Sequence, residues 1–442
     1  MRFAHRWIIG ITCLILVWLL HFVCWDLVEL FDVQKSTTAA PIELLWWSHH
    51  FSFVYDEVRQ CGAFECRVTN KRQRLSSARA VLFYGTALKT GDFPLPRSPQ
   101  HLWALLHEES PRNVIYAPFD DFLQHFNFTS TFSRYSDQPI TTQWLPSAHD
   151  LISMDYTMSF DFKSSNLNGP SPSVVFLNSD CDTMSGREDY MKELMRHINV
   201  DSFGSCLRNK DLPASLQNDY LNNLYSPKLL RFLSRYKFMI AIENAVCEDY
   251  ITEKFWRPLV VGVIPIYFGS PSIRDWQPQK KSAIFVSDFP NAAALGRYII
   301  ELSENKTEYD SFRGHKLNRS HPIQNEKLLH HLITYPHQTR EYDFFETFEC
   351  AVCKYATYRG PIRRANARHY NCPLVPIYAP LESKKEPERA TDWRSAMEVG
   401  QCQARILDTF FRSNKPYNEA DFEAELNRRM DDNRCSIDPK LH

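Results

Sequence analysis

The chain has 442 residues, more than one hydrophobic core usually serves, so two packed domains and a tail are expected. Lysine and arginine total 51 against 52 for aspartate and glutamate, with no basic block, which argues against a binder of phosphate backbones and predicts no nucleic acid partner. The 14% aromatic content, with 10 Trp, fits a well-packed core.

In chain order, the first informative run is Trp7 to Trp25, WIIGITCLILVWLLHFVCW, which carries no Asp, Glu, Lys or Arg. It approaches the ~20 apolar residues that span hydrocarbon. Arg2, His5 and Arg6 precede it, and Asp26, Glu29 and Asp32 follow. That asymmetry predicts a cytosolic tail at 1–6, a transmembrane signal anchor at 7–25 and a lumenal remainder, the type II orientation. A cleaved signal peptide would have a shorter apolar core and a small-residue site before Asp26. Lumenal placement agrees with sequons for N-glycosylation at Asn127, Asn305 and Asn318. Of 12 cysteines, Cys13 and Cys24 fall in the expected span, and the even set of ten that remains suits full pairing. Cys350 and Cys353 have the spacing of half a zinc ribbon, but the other half is missing, so disulfides are favoured.

A short stem at 26–45, ending in the polar QKSTTAAP of Gln34 to Pro41, leads into a first domain at 46–165. Apolar runs at Ile42 to Trp47 and Ala80 to Gly85 read as buried parallel strands. The Pro-rich Phe93 to Pro99 precedes an amphipathic run that ends in LLHEESP. Polar, Gly and Pro residues crowd Phe162 to Ser173, the expected crossing to a second domain at 170–345. There Ser173 to Asn178 predicts a strand and Gly186 to Ile198 a helix. Lys237 to Glu243 predicts a strand, then come a helix from about Ile251 and a strand within Val260 to Gly269, a βαβ rhythm. A Cys-containing tail at 346–442 ends in a surface helix, Ala420 to Met430.

The densest chemistry lies in Tyr236 to Ser270. A strand ends at Glu243-Asn244, and Tyr250, Glu253 and Lys254 are expected on or beside the first turn of the next helix. Strand ends and helix N-termini of open α/β sheets bind anions such as diphosphates. Lys254 is positioned to neutralise a departing diphosphate, and Arg187, just beyond the Ser173 to Asn178 strand, is a second cation for the same crevice. A surface ion pair, such as Glu253 with Arg257, is the plain structural alternative for this cluster.

The segment ENAVCEDYITEKFWRPLVVGVIPIYFGSP resembles the signature of the alpha-1,3-fucosyltransferases, glycosyltransferase family 10. Glu243-Asn244, Asp249 to Lys254, Gly262, Pro265 and Gly269 fall in register with the family pattern, whereas Ile242, Ala245 and Ile266 depart from it. Similarity continues at HEESP, FNFTSTFSRYSD, VDSFGSCLRNKDLP and FECAVCKY. The resemblance implies an α/β fold of GT-B architecture, two Rossmann-like domains facing across a cleft, with the acceptor side N-terminal and the donor side C-terminal. It implies GDP-fucose as donor, binding by Arg187, Asn244, Tyr250, Glu253 and Lys254, and Glu109 as general base, with the adjacent Glu108 as the other choice. The reaction implied is an inverting transfer, with no cofactor and no essential divalent metal, in the Golgi or ER membrane.

The continuation after Arg257 and the Cys-bearing tail are most similar to the fucosyltransferase ten and eleven subgroup. That leaves two acceptor classes, GlcNAc of glycans or Ser/Thr of EMI-type protein domains. A catalytically silent lumenal binding protein is the other function class, and intact Glu109, Arg187 and Lys254 argue against it. Asp180-Cys-Asp182 has the D-x-D form of metal-dependent GT-A enzymes but lacks their strand-flanked setting. Cys206 and Cys247 flank the donor region, where a bridge would lock the motif loop and a buried free thiol is the alternative; Cys61 and Cys66 with Cys350 and Cys353 would tie the start of the catalytic region to its end.

Overall fold

The computed structural model describes residues 41–165, 173–217, 223–358, 362–381, 386–432 and 435. The expected tail at 1–6 and anchor at 7–25 lie outside them, and no described helix is long and apolar enough to cross a membrane.

Two sheets organise the chain. The first takes β1 (Ile42–Ser48), β2 (Asp56–Cys61), β3 (Phe64–Thr69), β4 (Ala80–Tyr84), β5 (Leu102–His107) and β6 (Phe128–Thr131) in the order β2-β3-β1-β4-β5-β6. Only the β2/β3 hairpin is antiparallel. The second sheet is parallel throughout. It is built from β7 (Val174–Leu177), helix α1 (Arg187–Leu194), β8 (Val200–Phe203), β9 (Phe238–Ile242), helix α2 (Glu253–Val260), β10 (Ile264–Phe268), β11 (Ile284–Phe285) and helix α3 (Ala292–Glu304), in strand order β11-β10-β9-β7-β8. Strands such as FMIAI and VVFL are buried at every position because helices cover both faces, which is why they read as unbroken apolar runs. Ile240, Ile242 and Ile266 pack toward α1 and α3, while Met239 and Ala241 pack toward Phe255 and Leu259 of α2.

Two expectations shift. The first strand begins at Ile42, as the IELLWW run predicts, so the stem stops short of residue 45. The run before HEESP is strand β5 rather than an amphipathic element; it is a central strand with Trp103 to Leu106 fully buried, so no polar face marks its period.

The segment read as a tail returns to the first sheet. Helix α4 (Phe344–Tyr358) packs Phe348 and Val352 against Leu44, Trp46, Val68 and Leu82, and helix α5 (Ala390–Ser413) packs Met397, Ile406 and Leu407 on the opposite face with Val81, Phe83 and Trp103. Helix α6 (Glu419–Asp431) follows, close to the expected Ala420 to Met430. Disulfides Cys61–Cys350 and Cys66–Cys353 fasten α4 to the hairpin.

A bridge between Cys206 and Cys247 does not form. Cys206 follows β8 and reaches Cys181, which follows the neighbouring β7, whereas Cys247 follows β9, turns toward the first sheet and pairs with Cys372. Cys402–Cys435 is the fifth disulfide.

Candidate active site

Because both sheets are mostly parallel, the loops that carry polar side chains gather at their carboxyl ends, and these two edges face each other. From the second sheet, β7 delivers Asn178 and Asp180, β9 delivers Asn244, and α2 begins at Glu253, capped by the Thr252 hydroxyl, which accepts from the Lys254 amide at 3.3 Å. From the first sheet, β5 delivers Glu108, Glu109 and Ser110. The edges touch directly: Ser110 Oγ donates to Asn244 Oδ1 at 2.9 Å, and Tyr250 Oη donates to Glu109 Oε2 at 3.2 Å.

A cavity of about 200 Å3 opens at this junction, lined by Asp180, Arg187, Asn244, Glu253, Lys254 and Arg257 together with Asn178. Arg187 opens α1 after Gly186, whose φ of +63° turns the chain; a Cβ there would lie 2.4 Å from Pro387. Its guanidinium is almost fully buried. Nη1 donates to the Ile242 carbonyl at 3.2 Å, Nη2 donates to the Asp180 carbonyl at 3.0 Å, and Nε has no partner. Burial pushes its pKa down, against the pull of Asp180. Arg257, on the same face of α2 one turn after Lys254, also keeps an unpartnered buried Nε.

Lys254 is held from two sides. Its Nζ lies 3.2 Å from Glu253 and 3.6 Å from the fully buried Glu243, and donates to Thr252 Oγ1 at 3.0 Å. Burial opposes its charge, but Glu253 and Glu243 outweigh that and hold its pKa above the ordinary value. Glu253 is likewise driven up by burial yet brought below its ordinary value by Lys254 and Arg257. Three cations thus share one small cavity with the carboxylates of Asp180 and Glu253.

The two neighbouring carboxyls of the first sheet diverge. Glu108 turns back into the fold, where its Oε1 accepts from Tyr84 Oη and its Oε2 is buried without a partner; burial pushes it up to about 7. Glu109 faces the second sheet, with Tyr250, Lys254, Glu253 and Arg112 as its electrostatic surroundings, and burial raises its pKa from the ordinary 4.5. Tyr250, expected on or beside the first turn of α2, lies just ahead of the helix; it does not line the cavity but packs on Phe132 and steadies Glu109.

Family profiles match most of the described chain. The description "Fucosyltransferase, N-terminal" covers residues 39–143, and "Glycosyltransferase family 10 (fucosyltransferase) C-term" covers residues 169–358. The chain belongs to glycosyltransferase family 10. It is 58% identical to "Alpha-(1,3)-fucosyltransferase B" of Drosophila melanogaster, across 99% of both chains. It is 38% identical to "GDP-fucose protein O-fucosyltransferase 3" of Xenopus laevis, across 86% of this chain and 83% of that one. A solved alpha1,3-fucosyltransferase structure is similar at TM-score 0.40 and 17% identity, covering 70% of this chain and 93% of that one.

In this fucosyltransferase each residue of the D-x-D already has a partner within the protein. Asp180 pairs with Arg112 at 2.9 Å, Cys181 is in a disulfide, and Asp182 pairs with Arg389 at 3.4 Å. Asn127 is a structural residue rather than an accessible glycan acceptor: it is buried, its Nδ2 donates to the Arg363 carbonyl at 2.9 Å and its Oδ1 accepts from the Trp103 amide at 3.0 Å. Asn305 and Asn318 are exposed.

Sequence reasoning missed four contributors. Arg257 was read only as an ion-pair partner, although its i,i+3 spacing from Lys254 puts both on one face of α2. Glu243 was read as part of a strand end; its carboxylate braces Thr252, accepting from the amide at 2.8 Å and the hydroxyl at 2.7 Å. Tyr370 donates to the Glu109 carbonyl at 2.5 Å from a segment with no local signal. Arg134, in FSRYSD, crosses from the first sheet to grip the fully buried Asp249 at 2.6 Å, where Asp249 adopts a left-handed φ of +65°.

Proposed function

We propose that this fucosyltransferase moves L-fucose from GDP-β-L-fucose to a hydroxyl of a glycoprotein acceptor with inversion, giving an α linkage. The observation that carries this reading is the cation-lined cavity at the carboxyl edge of the second sheet, set directly against Glu109 of the first. Arg187, Lys254 and Arg257 take the diphosphate, with the orphaned Nε donors of both arginines free to bond its oxygens, while Asn244 and Glu253 orient the rest of the donor. Positive charge fixed in place beforehand stabilises the departing GDP without a divalent metal, because no reorganisation is needed as charge develops. Activity in EDTA is the direct check. Glu109 removes the acceptor proton: its raised pKa makes it a stronger base than an ordinary carboxylate, and Tyr250 fixes its orientation. Glu108 fits that role less well because it faces Tyr84 within the fold.

The two facing sheets are read as a GT-B pair, acceptor side first, carried on a type II anchor at 7–25 in the Golgi or ER membrane. Relatives whose names mention alpha-1,3 transfer and protein O-fucosylation support the same donor with two acceptor classes. Incubating the enzyme with GDP-fucose and either a GlcNAc-terminated glycan or a folded EMI domain separates them by product. Fucose on neither acceptor, with no GDP released, refutes the proposal.

A further inference from the structure

A second cavity, about 470 Å3, opens at the opposite end of the first sheet. Arg97, His101, His125, Arg364 and Arg412 line it above a floor that includes Trp103. His101 immediately precedes β5 and Glu109 follows it, so the length of that strand keeps this cavity roughly 20 Å or more from the reacting crevice.

Its charge is unbalanced. Among the described residues that line it there is no carboxylate. Arg97 lies over Trp103, 4.3 Å from the ring centroid, and bonds only neutral oxygens: the His125 carbonyl at 2.7 Å, the His101 carbonyl at 3.1 Å, and Asn127 Oδ1. Burial, with Arg364 adding repulsion, pushes the Arg97 guanidinium down to about 10. Arg364 is exposed and forms no ion pair among the described residues. Asp408, just outside, is shared between Arg412 at 2.7 Å and His125 at 2.9 Å. Partly buried cations are ordinarily matched by anions, since removing them from water is costly otherwise. Here the partly buried Arg97 has no carboxylate partner, while Arg364 and Arg412 stand at the same opening, Arg412 with Asp408 and Asp121 beside it.

We propose that this cavity is a binding site for a phosphate- or sulfate-bearing ligand, separate from the donor site. Arg364 and Arg412 supply the exposed contacts, and Arg97 supplies the fixed positive floor.

Calorimetric titration of the full chain with inorganic phosphate, and separately with a sulfated monosaccharide, tests this while GDP saturates the donor cavity. Saturable binding of either is expected, and the stronger arm identifies the anion. The double variant Arg364→Ala/Arg412→Ala should weaken it about tenfold or more, as loss of charge-assisted hydrogen bonds does, while fucose transfer and thermal midpoint stay as in the parent. Both side chains are exposed, so the variant is expected to fold. Absence of binding in both arms, or equal affinity in the folded double variant, overturns the proposal.

Discussion

Replacing Lys254 with alanine removes the cation at the start of α2 and probes donor binding and fold stability together. A phosphate charge about 4 Å from Nζ interacts by about 4 kcal/mol at the effective dielectric of a partly buried site. Desolvation of Nζ, already shared with Glu253 and Glu243, offsets part of this, leaving a net loss of ~2–3 kcal/mol, or roughly 30- to 150-fold in kcat/KM. The loss should divide between weaker GDP-fucose binding and slower transfer, because the charge on the leaving diphosphate grows during reaction. Stability gives an independent reading. Glu243 is fully buried with a pKa already raised, and without Lys254 it rises further. A carboxyl whose folded-state pKa exceeds its unfolded value lends stability at low pH that is lost as pH rises through the raised value. The melting temperature of Lys254→Ala should therefore fall further below the parent at neutral pH than at a pH below the ordinary carboxyl value of 4.5. A folded variant with parental kcat/KM and parental donor affinity would refute the reasoning.

Three other outcomes follow from the same geometry. The acid limb of the kcat/KM profile should lie above 4.5, since burial raises Glu109 and the base works only when ionised; a limb at or below that value would remove Glu109 from the role. Arg134→Ala should cost about 3 kcal/mol in denaturant unfolding, because it strips the guanidinium from a carboxylate with no solvent access at Asp249; a loss under about 0.5 kcal/mol would show the pair to be dispensable. Cys181→Ser frees the Asn178 to Asp182 loop beside the donor cavity and should raise the KM for GDP-fucose more than it lowers kcat. Equal KM values would mean the loop is held without the disulfide.

Much of the second sheet was legible in the sequence because strands such as FMIAI and IPIYF are short, apolar and bounded by loops. The donor side was legible for the same reason: Asn244, Glu253 and Lys254 fall within a dozen residues of one strand-to-helix corner. Strand β5 hid because a central strand buried on both faces has no alternation, and LWALLH followed by charges imitates a helix face. Contacts that join distant segments left no local trace. Cys247 reaches Cys372 across 125 residues, and Arg134 reaches Asp249 only after the two sheets have met. Asn127 shows the converse, since its triplet satisfies a modification pattern while its amide is consumed by the fold.

If Glu109 is the base, binding and chemistry separate at this one side chain. Donor affinity and single-turnover rate should be measured for Glu109→Gln with GDP-fucose and a fucosylatable acceptor. GDP-fucose affinity should stay nearly parental while turnover falls ~100- to 10,000-fold, the range for a lost general base. Turnover at the parental rate would contradict that role for Glu109.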